Sequence, residues 1–117
     1  KDFVEAQWLM LQQDKPDDYV IATGKQYSVR EFVDAVSKEL NLNIKWEGTS
    51  IKEVGIWNDK IIIEVDSRYF RPTEVENLIG DSSKARKKLN WKPKISFTQL
   101  VKEMVIEDLR ISKKETE

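Results

Sequence analysis

Ser28-Val29-Arg30-Glu31-Phe32-Val33-Asp34-Ala35-Val36-Ser37-Lys38-Glu39-Leu40-Asn41-Leu42-Asn43-Ile44-Lys45-Trp46-Glu47-Gly48 is the stretch that decides the fold class. Ser28 stands three residues before Glu31, the spacing at which each side chain satisfies the other's free backbone N–H at a helix start. Val29, Phe32, Val33, Val36 and Leu40 follow at helical intervals and give one apolar face. Asn41 is an end signal. Asn43 to Glu47 then alternates polar and apolar, the period of a half-buried strand, and Gly48 stops it. An amphipathic helix followed by an alternating strand predicts an α+β domain.

Working outward toward the amino terminus, Tyr19-Val20-Ile21-Ala22 predicts a short buried strand ending at Thr23-Gly24. Pro16 and the aspartates around it form a breaker. Residues 2–13 are good helix formers with a broad apolar surface, and the Trp8/Leu11 side is core or an interface. Toward the carboxy terminus, residues 49–60 read as a loop and Ile61–Val65 as a β-branched strand. Ser67–Thr73, with Pro72, reads as a structured loop, and Glu74–Ile79 as another short strand. Ser82-Ser83 caps a short basic helix, Lys84–Leu89, that ends at Asn90. Trp91-Lys92-Pro93 breaks the chain, with Trp91 as a packing anchor. A last helix starts after Ser96, with Gln99 at capping-box spacing and an apolar stripe of Phe97, Leu100, Val101, Met104 and Val105. The charged residues 112–117 read as a frayed tail. Without repeats or a low-complexity linker, residues 1–117 read as one domain.

The 117 residues allow one core that buries roughly two-thirds of the unfolded surface. Twenty basic and twenty-one acidic residues balance to a net charge of −1, which argues against a nucleic-acid binder. The chain has neither Cys nor His, so thiolate metal sites and histidine-based triads are excluded. No apolar run approaches the roughly 20 residues of a membrane span. Lys1-Asp2-Phe3 opens the chain without an initiator Met, which reads as a cut within a longer protein, a processed terminus being the alternative. Gly24, Gly48, Gly55 and Gly80 are too dispersed for a dinucleotide-binding loop. Tyr19, Tyr27 and Tyr69 have Thr23, Glu31 and Thr73 four residues on, so a Tyr-x-x-x-Lys pair is absent. The expectation is a chain with no catalytic residues, no cofactor-binding residues and no metal site.

Asp66-Ser67-Arg68-Tyr69-Phe70-Arg71-Pro72-Thr73-Glu74-Val75 resembles the D-x-R-Y-F-R-P-T-E-V segment of GDP-mannose 4,6-dehydratases. The opening KDFVEAQWLMLQ resembles the family's KDYVEAMWLMLQ, departing at Phe3 and Gln7. Val20–Gly24, Ser28–Val33, Trp46-Glu47-Gly48, Glu53-Val54-Gly55 and Lys88–Pro93 match in the same order. The similarity covers all but the last few charged residues.

The resemblance implies the small, carboxy-terminal substrate-binding domain of an extended short-chain dehydrogenase/reductase, of α/β parentage, with the Rossmann half absent. That half would bind NADP and hold the Tyr-Lys pair, a Thr and a Glu base, so this chain would bind no cofactor. The parent would be a cytoplasmic lyase, a homodimer or homotetramer, serving GDP-fucose or GDP-rhamnose synthesis. It would oxidise the mannosyl C4 of GDP-mannose, eliminate water between C5 and C6, and return the hydride to C6. The alternatives are a non-catalytic interaction module, or the equivalent domain of another nucleotide-sugar dehydratase or epimerase.

By position, the resemblance carries a diphosphate contact to Arg71, a ribose contact to Glu74 and a place near the phosphates to Arg68. The chemistry is apt: a guanidinium offers paired N–H donors to phosphate oxygens, and a carboxylate accepts twice from a diol. Pro72 stiffens the loop. Against this stand blander readings. Arg71 pairs with Glu64 or Asp66 on the surface, Glu74 is a strand-edge charge, and Arg68 sits in a structural ion pair. Tyr69 and Phe70 either flank a guanine or pack under a loop. Lys84, Arg86, Lys87 and Lys88 read as a solvated helix face with cations toward the negative end of the dipole.

Overall fold

The computed structural model describes residues 1–73 and 77–115. It divides into two compact units, Lys1–Tyr27 with Glu76–Leu100 and Ser28–Val75 with Val101–Glu117.

In the first unit, α1 spans Asp2–Leu11 and α3 spans Ser83–Leu89. Ala6 and Ala85, one from each helix, are wholly buried, and such small side chains let helices approach closely. Leu89 and Trp91 complete the buried cluster, with Leu9, Met10, Tyr19 and Ile21 packed against it. Trp91 is the anchor its place after a helix suggested: the residue is 2% exposed and its Nε1–H donates to the Asp2 carbonyl at 2.9 Å. The same aspartate's carboxylate accepts from the backbone N–H groups of Lys94 (2.8 Å) and Ile95 (2.9 Å). Those bonds, the Ile95 one foremost, hold the Asp2 carboxyl below its usual range.

Two expectations change here. Tyr19–Ala22 is not a strand. Tyr19 and Ile21 do turn toward the cluster, but among the described residues the segment has no ladder partner. Ser82 does not cap α3 through its side chain. The Asp81 carboxylate does so instead, accepting from Ser83 N–H at 2.9 Å and from the Ser83 hydroxyl, while Ser82 Oγ accepts from Arg86 Nε. The basic helix is the solvated face expected, with Lys84, Arg86, Lys87 and Lys88 all exposed, and it makes surface contacts. Lys84 and Lys88 both reach Asp17, at 2.6 and 2.9 Å, and Arg86 reaches the Thr23 carbonyl at 3.4 Å.

In the second unit, α2 spans Val29–Glu39 with its capping box formed both ways. Glu31 N–H donates to Ser28 Oγ at 3.1 Å, and Ser28 N–H donates to the Glu31 carboxylate at 2.6 Å. Three strands follow, β1 (Lys45–Glu47), β2 (Val54–Trp57) and β3 (Lys60–Glu64), as an antiparallel sheet in that order. Trp46 faces Gly55 and Gly55 faces Ile63 across the ladders. Asn58 and Asp59, at φ of 49° and 59°, make the two-residue turn between β2 and β3, the left-handed pair that matches strand twist.

Residues 49–60 are therefore not one loop: a 3₁₀ turn (Ser50–Lys52) and β2 lie within them. α4, Phe97–Glu115, starts from a reciprocal pair in which Ser96 N–H donates to Gln99 Oε1 and Gln99 N–H to Ser96 Oγ. The helix runs as far as Glu115 among the described residues. Helices with a small antiparallel sheet agree with the α+β reading.

Candidate functional site

A cleft of about 500 Å³ opens in the second unit. The first turn of α2 supplies Val29, Arg30 and Val33, β1 supplies Trp46, and the approach to β2 supplies Glu53. β3 and the chain beyond it supply Ile63, Glu64, Val65, Asp66, Tyr69, Phe70 and Arg71. It has apolar walls with a few charged groups, the usual make-up of a small-molecule site.

Trp46 is held from three sides. Its Nε1–H donates to Asp34 Oδ1 at 2.8 Å, tying β1 to α2. Gly55 leaves room for the ring: a Cβ there would lie 3.2 Å from Trp46 Cζ3 and 3.3 Å from Ile63 Cβ. The guanidinium of Arg30 lies over the indole, 5.3 Å from its centroid, within the range of a cation–π contact. That guanidinium is also ion-paired to Glu53, whose side chain is 21% exposed.

The far wall is a turn built by Asp66. Its carbonyl accepts from Tyr69 N–H (3.1 Å) and Phe70 N–H (3.2 Å), and its Oδ1 accepts from Arg68 N–H at 2.9 Å. Arg68 closes on the same carboxylate through Nε and Nη2, at 3.0 and 2.6 Å to Oδ2. The Arg68 side chain, and then its backbone N–H, hold the Asp66 carboxyl below its ordinary value. The same contact raises Arg68. Arg68 also lies 5.5 Å from the Tyr69 ring centroid.

Of the residues singled out from sequence, Arg71, Tyr69 and Phe70 come together in the cleft, in company with Glu64 and Asp66. Arg68 stands in the ion pair with Asp66 and is not among the lining residues. Glu74, with the first residues of the strand expected over Glu74–Ile79, lies outside the described residues; from 77 to 79 the chain is irregular. Sequence reasoning assigned no role to Arg30 or Glu53. They are 23 positions apart, and no local pattern announces an ion pair across that distance.

The first unit holds a second cleft, of about 430 Å³, lined among others by Thr23, Lys25, Tyr27, Arg86 and Phe97. There Tyr27 and Phe97 stack with centroids 4.0 Å apart. Among the described residues, no group of three or more Asp or Glu stands ready to hold a metal ion. No described helix is long and apolar enough to cross a membrane.

The chain combines helices with a small antiparallel sheet, and its second unit carries a cleft whose walls combine guanidinium groups and aromatic rings. The family model described as GDP-mannose 4,6 dehydratase matches residues 1–104, and the chain belongs to that family. It is 47% identical to the GDP-mannose 4,6-dehydratase of Vibrio cholerae over 97% of this chain and 34% of that protein. To the GDP-mannose 4,6 dehydratase of Homo sapiens it is 51% identical, over 95% of this chain and 30% of the relative. To GDP-mannose 4,6 dehydratase 1 of Arabidopsis thaliana it is 52% identical, over 97% and 27%. The chain thus spans about a third of the length of the curated relatives it matches.

Proposed function

We propose that this chain is the nucleotide-sugar-binding part of a GDP-mannose 4,6-dehydratase, and that the cleft of the second unit is where it takes hold of GDP-mannose. The observation that carries the reading is the placement of Arg71 in the wall of a cleft that also presents Trp46, Tyr69 and Phe70. A diphosphate linking a flat base to a sugar asks for that combination, fixed positive charge beside apolar and aromatic surface. Arg71 takes the diphosphate, Glu74 the ribose hydroxyls, and Arg68 keeps the turn in shape through Asp66 while adding positive potential nearby.

The whole enzyme in this proposal is a cytoplasmic lyase that forms GDP-4-keto-6-deoxymannose, working as a homodimer or homotetramer. NADP would accept a hydride from the sugar and return it. None of this chain's residues is assigned to the cofactor, because its four glycines stand apart at Gly24, Gly48, Gly55 and Gly80 and form no pyrophosphate-binding turn. The 117-residue chain by itself is accordingly expected to make no keto sugar from GDP-mannose and NADP; product from the chain alone would refute that assignment.

Arg71→Ala in the full-length enzyme tests the site. Loss of a charge-assisted contact of this kind costs about 1.5–3 kcal/mol, so GDP-mannose affinity should fall roughly tenfold or more with the melting temperature unchanged. Unaltered affinity would defeat the reading. Titration with UDP- and dTDP-sugars alongside separates GDP-mannose from other nucleotide sugars as the preferred ligand.

A further inference from the structure

We infer that Arg30 is a second phosphate-binding cation of this cleft, and that Glu53 is its resting counter-ion, displaced when an anionic ligand arrives. The inference rests on the reading of the cleft as a nucleotide-sugar site and adds a residue and an exchange step to it.

Arg30 and Arg71 line the same cleft, from opposite ends of the unit's first segment, Ser28–Val75. Arg30 is pre-set for the task. It sits in the first turn of a helix whose start is fixed by the capping box of Ser28 and Glu31. Its guanidinium lies on the Trp46 face, and the indole is itself pinned by Asp34. Backing of this kind holds a planar cation while leaving its edge donors usable, so little rotamer freedom remains to be lost on binding. The side chain is half open, with 53% of its surface exposed.

Glu53 has the opposite character. Its side chain is the more enclosed partner, and its buried Oε1 is the atom that faces the Arg30 guanidinium. Its tie is the ion pair to Arg30. A carboxylate paired with a cation in a cleft meant for an anion offsets the cation's charge while the cleft is empty. A diphosphate entering the cleft offers Arg30 more acceptor oxygens than one carboxylate, and two guanidinium groups then face the two phosphates. Glu53 thereby weakens binding in proportion to the strength of its hold on Arg30, so removing its charge should help the ligand. A purely structural ion pair makes no such prediction.

The test is equilibrium binding of GDP to the full-length protein, with a thermal melt of each variant. Arg30→Ala should weaken GDP about tenfold, the effect of a lost charge-assisted contact. Glu53→Gln should tighten it several-fold, and Arg30→Lys should fall between wild type and Arg30→Ala, because an ammonium keeps the charge without the paired donors. Opposite signs for Arg30→Ala and Glu53→Gln are the expected result. If both variants weaken GDP, or neither changes it, Arg30 and Glu53 form a scaffold pair and the inference is overturned. Should Glu53→Gln fail to fold, the graded Arg30→Lys and Arg30→Ala pair decides, and equal affinity for wild type and Arg30→Ala overturns it. Arg71→Ala tells the two failures apart. Weakening at Arg71 without weakening at Arg30 sinks only the exchange, whereas no weakening at Arg71 sinks the site itself.

Discussion

The two units solve opposite problems with the same kind of residue. In the first, Trp91 is sealed among Ala6, Ala85 and Leu89, and its one polar atom is satisfied by the Asp2 carbonyl. In the second, Trp46 is held as firmly by Asp34 and Gly55, yet it forms part of a cleft wall with a guanidinium across its face. One indole is held in order to be buried, the other in order to be met. The difference shows where in this chain substitution should cost stability and where it should cost binding.

The largest effect should come from the buried ring. Trp91→Ala is expected to destabilise the protein by about 3–5 kcal/mol, read as a lower denaturant midpoint. The matching Trp46→Ala should cost clearly less stability while lowering GDP-mannose affinity. Equal stability losses at the two indoles would break the contrast. Next comes Gly55→Ala. Its Cβ would meet Trp46 at 3.2 Å and Ile44 Cγ2 at 3.3 Å, closer than comfortable packing, so a loss of about 1–3 kcal/mol is expected. A shift of the Trp46 indole N–H resonance should accompany it. A variant as stable as wild type with that resonance unmoved would show the ring is not pinned there.

A smaller effect is expected at the start of α2. Ser28→Ala removes the acceptor for Glu31 N–H and should cost about 1 kcal/mol. Because Arg30 sits in that same turn, a loss of ligand affinity should come with it. The smallest effect belongs to Asp17, an exposed carboxylate gripped by Lys84 and then Lys88. Both side-chain contacts hold its pKa well below the ordinary 3.8. A carboxyl lowered in the folded state adds stability above its unfolded value and loses it as pH falls through the folded one. Asp17→Asn should therefore leave stability nearly unchanged at the acid extreme and lower it slightly from about pH 4 upward. This is followed by melting at low salt from pH 2 to 7, and 0.5 M salt should erase most of the difference. A larger deficit at pH 2 than at pH 6 would contradict the assignment.

What could be read from sequence was what is decided within a few residues. The box of Ser28 and Glu31, the stripe on α2 and the alternation through Trp46 all depend on neighbours three or four positions away at most. The box and the alternation appear in the fold, and the stripe does from Phe32 to Leu40, Val29 being exposed. β2 could not be read because Val54-Gly55-Ile56-Trp57 carries a glycine that looks like a break. The glycine serves a strand pair and an indole supplied from elsewhere in the sequence. Tyr19–Ala22 failed for the converse reason: a strand needs a ladder partner, and β propensity does not supply one. At α3, the longer-reaching Asp81 carboxylate, not singled out from sequence, took the place given to Ser82. The cleft was half legible. Arg71, Tyr69 and Phe70 lie in one short run, whereas Arg30, Trp46 and Glu53 meet it only through the fold.

A structure of the full-length protein with GDP-mannose bound tests the central claim most directly. The account predicts phosphate oxygens within hydrogen-bonding distance of the Arg71 guanidinium, in the cleft beside Trp46 and Phe70. A nucleotide seated elsewhere, with Arg71 turned from its phosphates, would contradict it and leave this stretch as scaffold alone.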